Sequence, residues 1–266
     1  MKKGVFLLIL VSAFLIECTT VPVTNRKQFR MLPESMINSM ALTAYNEFMA
    51  SNKLIPSSDS RTSQVKTVGA KLQNATINYM KKNGYSKRLN QFSWSFNLVE
   101  SPTVNAFCLP GGKIVVYSGI LPITGTEAGL ATVLSHEIAH AVARHGNERM
   151  SQQLTLQLGG IALDVAMQEK AKETRDIFNL CYGIGGNLGL LAYSREHEYE
   201  ADKIGMVFMA LAGYDPSEAI SFWEKMAAKN SGANVPQFLS THPSDQNRIA
   251  EMKKFLPKAK TYLNQN

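Results

Sequence analysis

Cysteine is scarce: three in 266 residues, and one of them, Cys18, follows directly on an N-terminal apolar run. A disulfide-stapled scaffold is thereby excluded. Cys108 and Cys181 are left, and they are expected as free, buried thiols that behave as small hydrophobes. Long apolar runs are also missing. Gln157–Met167 and Ile177–Tyr193 are interrupted by Asp164, by Asn179 and Asn187 and by glycines, so neither makes the ~20-residue span of a transmembrane helix. No internal repeat or low-complexity tract occurs. Charged residues make up 18% and hydrophobic residues 45%, with a net charge of +7, the balance of a globular domain. The basic residues are scattered and accompany no binding motif, which argues against a nucleic-acid partner.

The N-terminus has a pattern of its own. Lys2-Lys3 precede the apolar run Val5 to Ile16, an arrangement of signal-peptide length. Cys18 then stands where bacterial lipoproteins carry their lipid, although Glu17 replaces the usual small residue. The expected organisation is a signal peptide at 1–17, a tether at 18–32 and one compact domain at 33–266. The expected setting is a periplasm-facing lipoprotein of the cell envelope, held through Cys18 at the outer membrane.

Periodicity orders the rest. Met36, Ile37, Met40, Ala41, Ala44, Tyr45, Phe48 and Met49 fall at helical spacing after Pro33, and Val65, Val68, Leu72, Ala75 and Tyr79 do so again before Asn83-Gly84. Phe92, Trp94, Phe96 and Leu98 alternate with polar residues, as in a half-buried strand. Val104–Phe107 and Lys113–Ser118 flank Pro110-Gly111-Gly112, and a small antiparallel sheet is expected. Thr124 and Glu127 have the spacing of a capping box. They open an amphipathic helix expected to run through Arg144 towards Leu158.

That helix contains His136-Glu137-Ile138-Ala139-His140, an H-E-x-x-H pentapeptide. Residues i and i+4 share a helix face, so His136 and His140 can converge on one metal ion. Glu137 lies within reach of a water beside that ion. A catalytic zinc needs a third protein ligand and an open position. A metzincin would place Gly at 143 and His at 146, but this chain has Ala143 and Gly146. The acidic cluster Glu196, Glu198 and Glu200 supplies candidates instead. Glu198 stands slightly ahead of Glu200, because Asp202 lies one turn further along its face and can orient a ligating histidine.

The pentapeptide, followed by Ser194-Arg195-x-x-Glu198-x-x-Ala201-Asp202, resembles zinc metallopeptidase family forty-eight, which includes CaaX prenyl proteases and HtpX- and BepA-like enzymes. Asn105–Gly112, Ala212–Pro216, Thr241-His242-Pro243 and Arg248-Ile249 resemble it too. A single-domain periplasmic lipoprotein branch is the nearest fit within it. The resemblance implies a predominantly helical α+β gluzincin-type fold and one Zn²⁺ held by His136, His140 and Glu198, with Asp202 as helper. It also implies His242 near the metal, either stabilising the tetrahedral intermediate or acting as a latch.

The expected activity is hydrolysis of peptide bonds in extended or misfolded envelope proteins. Glu137 is the expected general base, and substrate is expected to add as a strand beside Val104, Asn105, Ala106 and Phe107. The alternative is a latent or closed-site zinc protein that binds envelope proteins like a chaperone, with His242 or Cys108 filling the fourth position.

Overall fold

The computed structural model describes residues 19–158, 171–182, 193–229, 235–243, 246–263 and 265. The signal segment, Cys18, Gly159-Gly160, Asp164, the 183–192 part of the second apolar stretch and the Ser231–Asn234 loop lie outside the described residues. Among the described residues, no helix is long and apolar enough to cross a membrane.

The described residues begin with two short strands, β1 (Thr19–Thr20) and β2 (Lys27–Gln28), paired antiparallel. The stretch expected as a tether is thus folded: Val21 and Gln28 are buried. Helices α1 (Glu34–Ser51) and α2 (Ser60–Lys82) follow, with the apolar faces that their periodicity predicts. A single-turn helix, α3 (Ser86–Leu89), leads into the sheet.

The sheet has three strands: β3 (Ser95–Val99), β4 (Ala106–Leu109) and β5 (Lys113–Tyr117). Their order is β3-β5-β4. The expected antiparallel sheet is therefore mixed. β5 pairs antiparallel with β4 and parallel with β3, because β5 enters between the two earlier strands. Alternation reports that a strand exists and which face is buried; it does not report the partner. The β4–β5 hairpin turns through Gly111 and Gly112, both at φ near +80°. A Cβ on Gly112 would also fall 2.5 Å from the Trp94 ring.

After the one-turn α4 (Leu121–Thr124) comes the central helix, α5 (Glu127–Ala143). Its N-cap is Thr126, whose hydroxyl accepts from Gly129 N at 3.0 Å, while Thr124 donates to Leu121 O and closes α4. The expected box therefore sits two residues off. α5 is also less amphipathic than expected: every residue from Gly129 to His140 is buried, as in a helix packed on all sides. It is surrounded by α2, β4, α8 (Arg195–Leu211) and α9 (Ser217–Ala228).

The helix does not continue to Leu158. Arg144 takes a left-handed conformation, φ 57°, and α6 (His145–Leu158) starts in a new direction. Such a conformation in a residue with a Cβ costs about 1–2 kcal/mol. Arg144 is held there by Glu34, 3.4 Å away, and by Gln91. α7 (Ala171–Tyr182) packs on α6 and α1 in a second apolar cluster. The short α10 (Gln237–Thr241) and the last helix, α11 (Gln246–Lys260), close the site from the far side.

Candidate metal centre

His136 and His140 come from consecutive turns of α5, Glu198 from the first turn of α8, and His242 from the end of α10. All four are buried, and their ligating atoms lie within 4.8 Å of one another. His136 Nε2 is 3.0 Å from His140 Nε2 and 3.1 Å from His242 Nδ1. The Glu198 carboxylate lies 3.3 Å from each of the first two imidazoles and 3.1 Å from His242 Nδ1. A tetrahedral ion with bonds of about 2.0–2.1 Å separates its ligands by about 3.3 Å, so the spacing fits zinc.

Electrostatics fit as well. Burial works against ionised Glu198, yet His242, Arg248 and His136 hold its carboxyl well below the usual range. Burial likewise opposes a charge on His136, but Glu198 and Asp202 raise it to about 9. This buried cavity stabilises positive charge at its centre, as a cation site must. Glu137 Oε1 has no hydrogen-bond partner.

Glu137 points beside the cluster. Burial raises its pKa, and Oε1 lies 3.4 Å from His242 Nε2. The backbone N–H of Cys108 donates to its carboxylate. In β4, Asn105 O accepts from Tyr117 N on the β5 side. Alternation along an antiparallel strand then turns the Ala106 and Cys108 backbone groups to the free edge. That edge faces Glu137. Val104, expected in the strand, instead accepts from Phe238 N at 3.0 Å, and Asn105 precedes the strand and caps Ala106 N through its side chain. Cys108 and Cys181 are free and buried, and the Cys108 thiol is not one of the four clustered groups.

Asp202 Oδ1 is 3.0 Å from His136 Nδ1. Arg248, read from sequence only as part of a pattern, is fully buried here. It donates to Asp202 at 2.6 and 2.8 Å, reaches Glu198 at 2.8 Å and stacks on Trp223. His145, Glu148 and Arg26 were not legible as site residues, and Glu200 was read only as a rival ligand. The one local signal is that His145 follows Arg144 so soon after the pentapeptide. Tyr193 also escaped notice; its ring stacks on His140 at 4.0 Å.

Residues 61–256 match the sequence profile of peptidase family M48. The chain belongs to peptidase family M48. This is a family of zinc metallopeptidases, and the fold and the His-His-Glu-His cluster accord with it. Among M48 relatives, the chain is 35% identical to "Mitochondrial metalloendopeptidase OMA1" of Schizosaccharomyces pombe over 242 residues, 90% of this chain and 66% of that one. It is 31% identical to the human mitochondrial metalloendopeptidase OMA1 over 248 residues, 90% of this chain and 46% of the human one. The "Beta-barrel assembly-enhancing protease" of Escherichia coli is 30% identical over 160 residues, 59% of this chain and 33% of that one. The chain thus spans just under two thirds of the S. pombe protein and less than half of the human one.

These M48 relatives correct one expectation. A bacterial outer-membrane lipoprotein was the expected setting, but the relatives matched over nine-tenths of the chain are mitochondrial proteins.

Proposed function

We propose that this M48 chain is a zinc-dependent metalloendopeptidase that hydrolyses peptide bonds in extended polypeptide segments. The observation that carries the reading is Glu137: a buried carboxylate with an unpartnered oxygen, beside a buried four-ligand cluster and against the free edge of β4.

His136, His140 and Glu198 would hold Zn²⁺. Zinc held there supplies a Lewis acid that polarises the scissile carbonyl and acidifies water. Glu137 takes a proton from the attacking water and returns it to the leaving amine. Its raised pKa suits both transfers. Asp202 fixes the His136 tautomer by accepting from Nδ1. The Ala106 and Cys108 carbonyls accept from an added substrate strand, so recognition reads main chain more than side chain. An unfolded or extended protein segment is the substrate class that this mode accepts.

The test pairs zinc content with cleavage of casein, in wild type and Glu137→Gln. The expected result is one zinc per chain in both proteins, with cleavage in wild type and a loss of about 10²–10⁴-fold in the variant. Equal cleavage by the two proteins would remove Glu137 from the role of base.

A second reading, favoured by one observation, is a latched form of the same enzyme. His242 Nδ1 stands 3.1 Å from both His136 Nε2 and Glu198 Oε1. It therefore occupies the fourth position, which catalysis needs open. In the extreme case the closed site serves only to bind polypeptide, with stoichiometric zinc and no turnover.

A further inference from the structure

Each ligating histidine of α5 turns Nε2 towards the cluster and leaves Nδ1 facing outwards. For His136 the outward nitrogen meets Asp202, which Arg248 clamps. For His140 the outward nitrogen meets a histidine: His140 Nδ1 and His145 Nδ1 are 2.9 Å apart. The other nitrogen of His145 lies 2.9 Å from Glu200 Oε2. Glu200 in turn accepts from Arg26 Nε at 2.8 Å and from the Thr24 hydroxyl. The Arg26 guanidinium also reaches Glu148 at 2.7 and 2.8 Å, and Glu148 accepts from Gln28 and contacts His197. His197 stacks on His145 with ring centroids 4.5 Å apart.

The proton order along this chain is fixed by its two ends. His140 binds metal through Nε2, so its proton is on Nδ1 and is donated to His145 Nδ1. His145 then carries its own proton on Nε2 and donates it to Glu200, which has only acceptors to offer. Every donor points away from the metal, and the row ends on a carboxylate held by an arginine. His145 is fully buried, so water does not supply the acceptor in its place. The left-handed turn at Arg144 makes the arrangement possible. A straight continuation of α5 would carry residue 145 about 100° round the helix from residue 144 and away from the outward nitrogen of His140.

We propose that His145 is the positioning residue of the metal ligand His140, and that the hairpin of residues 19–28, through Arg26 on Glu200 and Glu148, completes the metal centre. The inference rests on the reading of this cluster as a zinc site. It gives the N-terminal hairpin a share in metal affinity, although Arg26 touches neither metal ligand nor substrate edge.

The experiment measures zinc affinity by chelator competition, thermal stability of the zinc-free protein, and kcat and KM at saturating zinc. Wild type is compared with His145→Phe, His145→Asn, Glu200→Gln and Arg26→Met. Phenylalanine keeps the ring and its stacking on His197 but removes both nitrogens. Asparagine restores an acceptor near the Nδ1 position. The expected result for His145→Phe is about 10–100-fold weaker zinc binding, with kcat lowered and KM unchanged. His145→Asn should recover most of that loss, and Arg26→Met and Glu200→Gln should weaken zinc to a smaller degree. Folded His145→Phe binding zinc within about twofold of wild type would overturn the proposal and leave the zinc reading standing. If His145→Phe does not fold, unchanged affinity in both Glu200→Gln and Arg26→Met would overturn it instead. Wild type that binds no zinc would overturn the proposal and the zinc reading together.

Discussion

His242 spans the distance between the buried His136–Glu198 cluster and Glu137. Its Nδ1 is 3.1 Å from His136 Nε2, and its Nε2 is 3.4 Å from Glu137 Oε1. One imidazole therefore contacts both the cluster and Glu137. Its backbone is held too: His242 N donates to Phe238 O at 2.9 Å, and His242 O accepts from Arg248 at 3.4 Å.

The expected consequence is that His242→Ala opens the fourth position. Cleavage of casein by the variant should rise above wild type while zinc affinity falls. A loss of about 10²–10³ in kcat instead would assign His242 to stabilising the tetrahedral intermediate rather than to closing the site.

Arg248 offers a separate test. It is fully buried and pairs with two buried carboxylates, Asp202 and Glu198. Arg248→Ala leaves both carboxylates without their cation, which typically destabilises by about 3–5 kcal/mol. Arg248→Lys keeps the charge but not the fork that serves Asp202 through two nitrogens, and it should recover only part of the loss. Urea unfolding in the presence of chelator measures the effect free of metal. A Lys variant as stable as wild type would show that charge alone suffices.

What was legible in the sequence follows the range of each signal. The metal helix was visible because the pentapeptide and its apolar neighbours lie within one helix, and local periodicity is a local property. The first two helices and the three strands were visible for the same reason. The partner of β3 was not, since its parallel pairing with β5 depends on where the chain returns. Glu198 could be placed first among neighbouring glutamates because Asp202 lies one turn away. Arg26 could not be placed, because its partner Glu200 lies 174 residues further along. His145 stayed hidden for a further reason. A helix expected to run straight through Arg144 turns residue 145 away, and only the left-handed Arg144 reverses that.

The crossing of α5 and α8 decides how near Glu198 comes to His136, and Gly205 sits at that crossing. A Cβ at position 205 would lie 3.2 Å from Ser135 Oγ and 3.3 Å from His136 N. Gly205→Val adds two further carbons against the α5 backbone. Overpacking of this kind costs about 1–3 kcal/mol, and here it also pushes α8, with Glu198 and Asp202, away from α5. Stability and zinc affinity should fall together. Unchanged zinc affinity in a destabilised Gly205→Val protein would show that the strain is absorbed elsewhere along α8.

The N-terminal hairpin predicts a pH dependence. Burial opposes the ionised form of Glu200, but His145 and Arg26 lower its pKa from 4.5 to about 2. Glu148 behaves alike: burial opposes it, and Arg26, His197 and Gln28 hold it well below the usual carboxylate range. A carboxylate with a depressed folded pKa adds stability that is present above its unfolded value, near 4.5. That stability is lost as the pH falls through the folded value. Arg26→Ala removes the shared cation and leaves two buried carboxylates short of a donor. At pH 7 this should cost about 1–3 kcal/mol, less than for a fully enclosed pair because Arg26 is one-third exposed. As the pH falls from 4.5 towards 2, wild type loses the advantage and the two melting temperatures should converge. His145, which burial lowers to about 4, takes up its proton in the unfolded chain as the pH falls below its ordinary 6.5, which weakens both proteins and largely cancels in the difference. Thermal melts of the chelator-treated proteins between pH 7 and pH 3 measure that difference. Curves that stay parallel over the whole range would show that Arg26 acts through packing and not through the charges of Glu148 and Glu200.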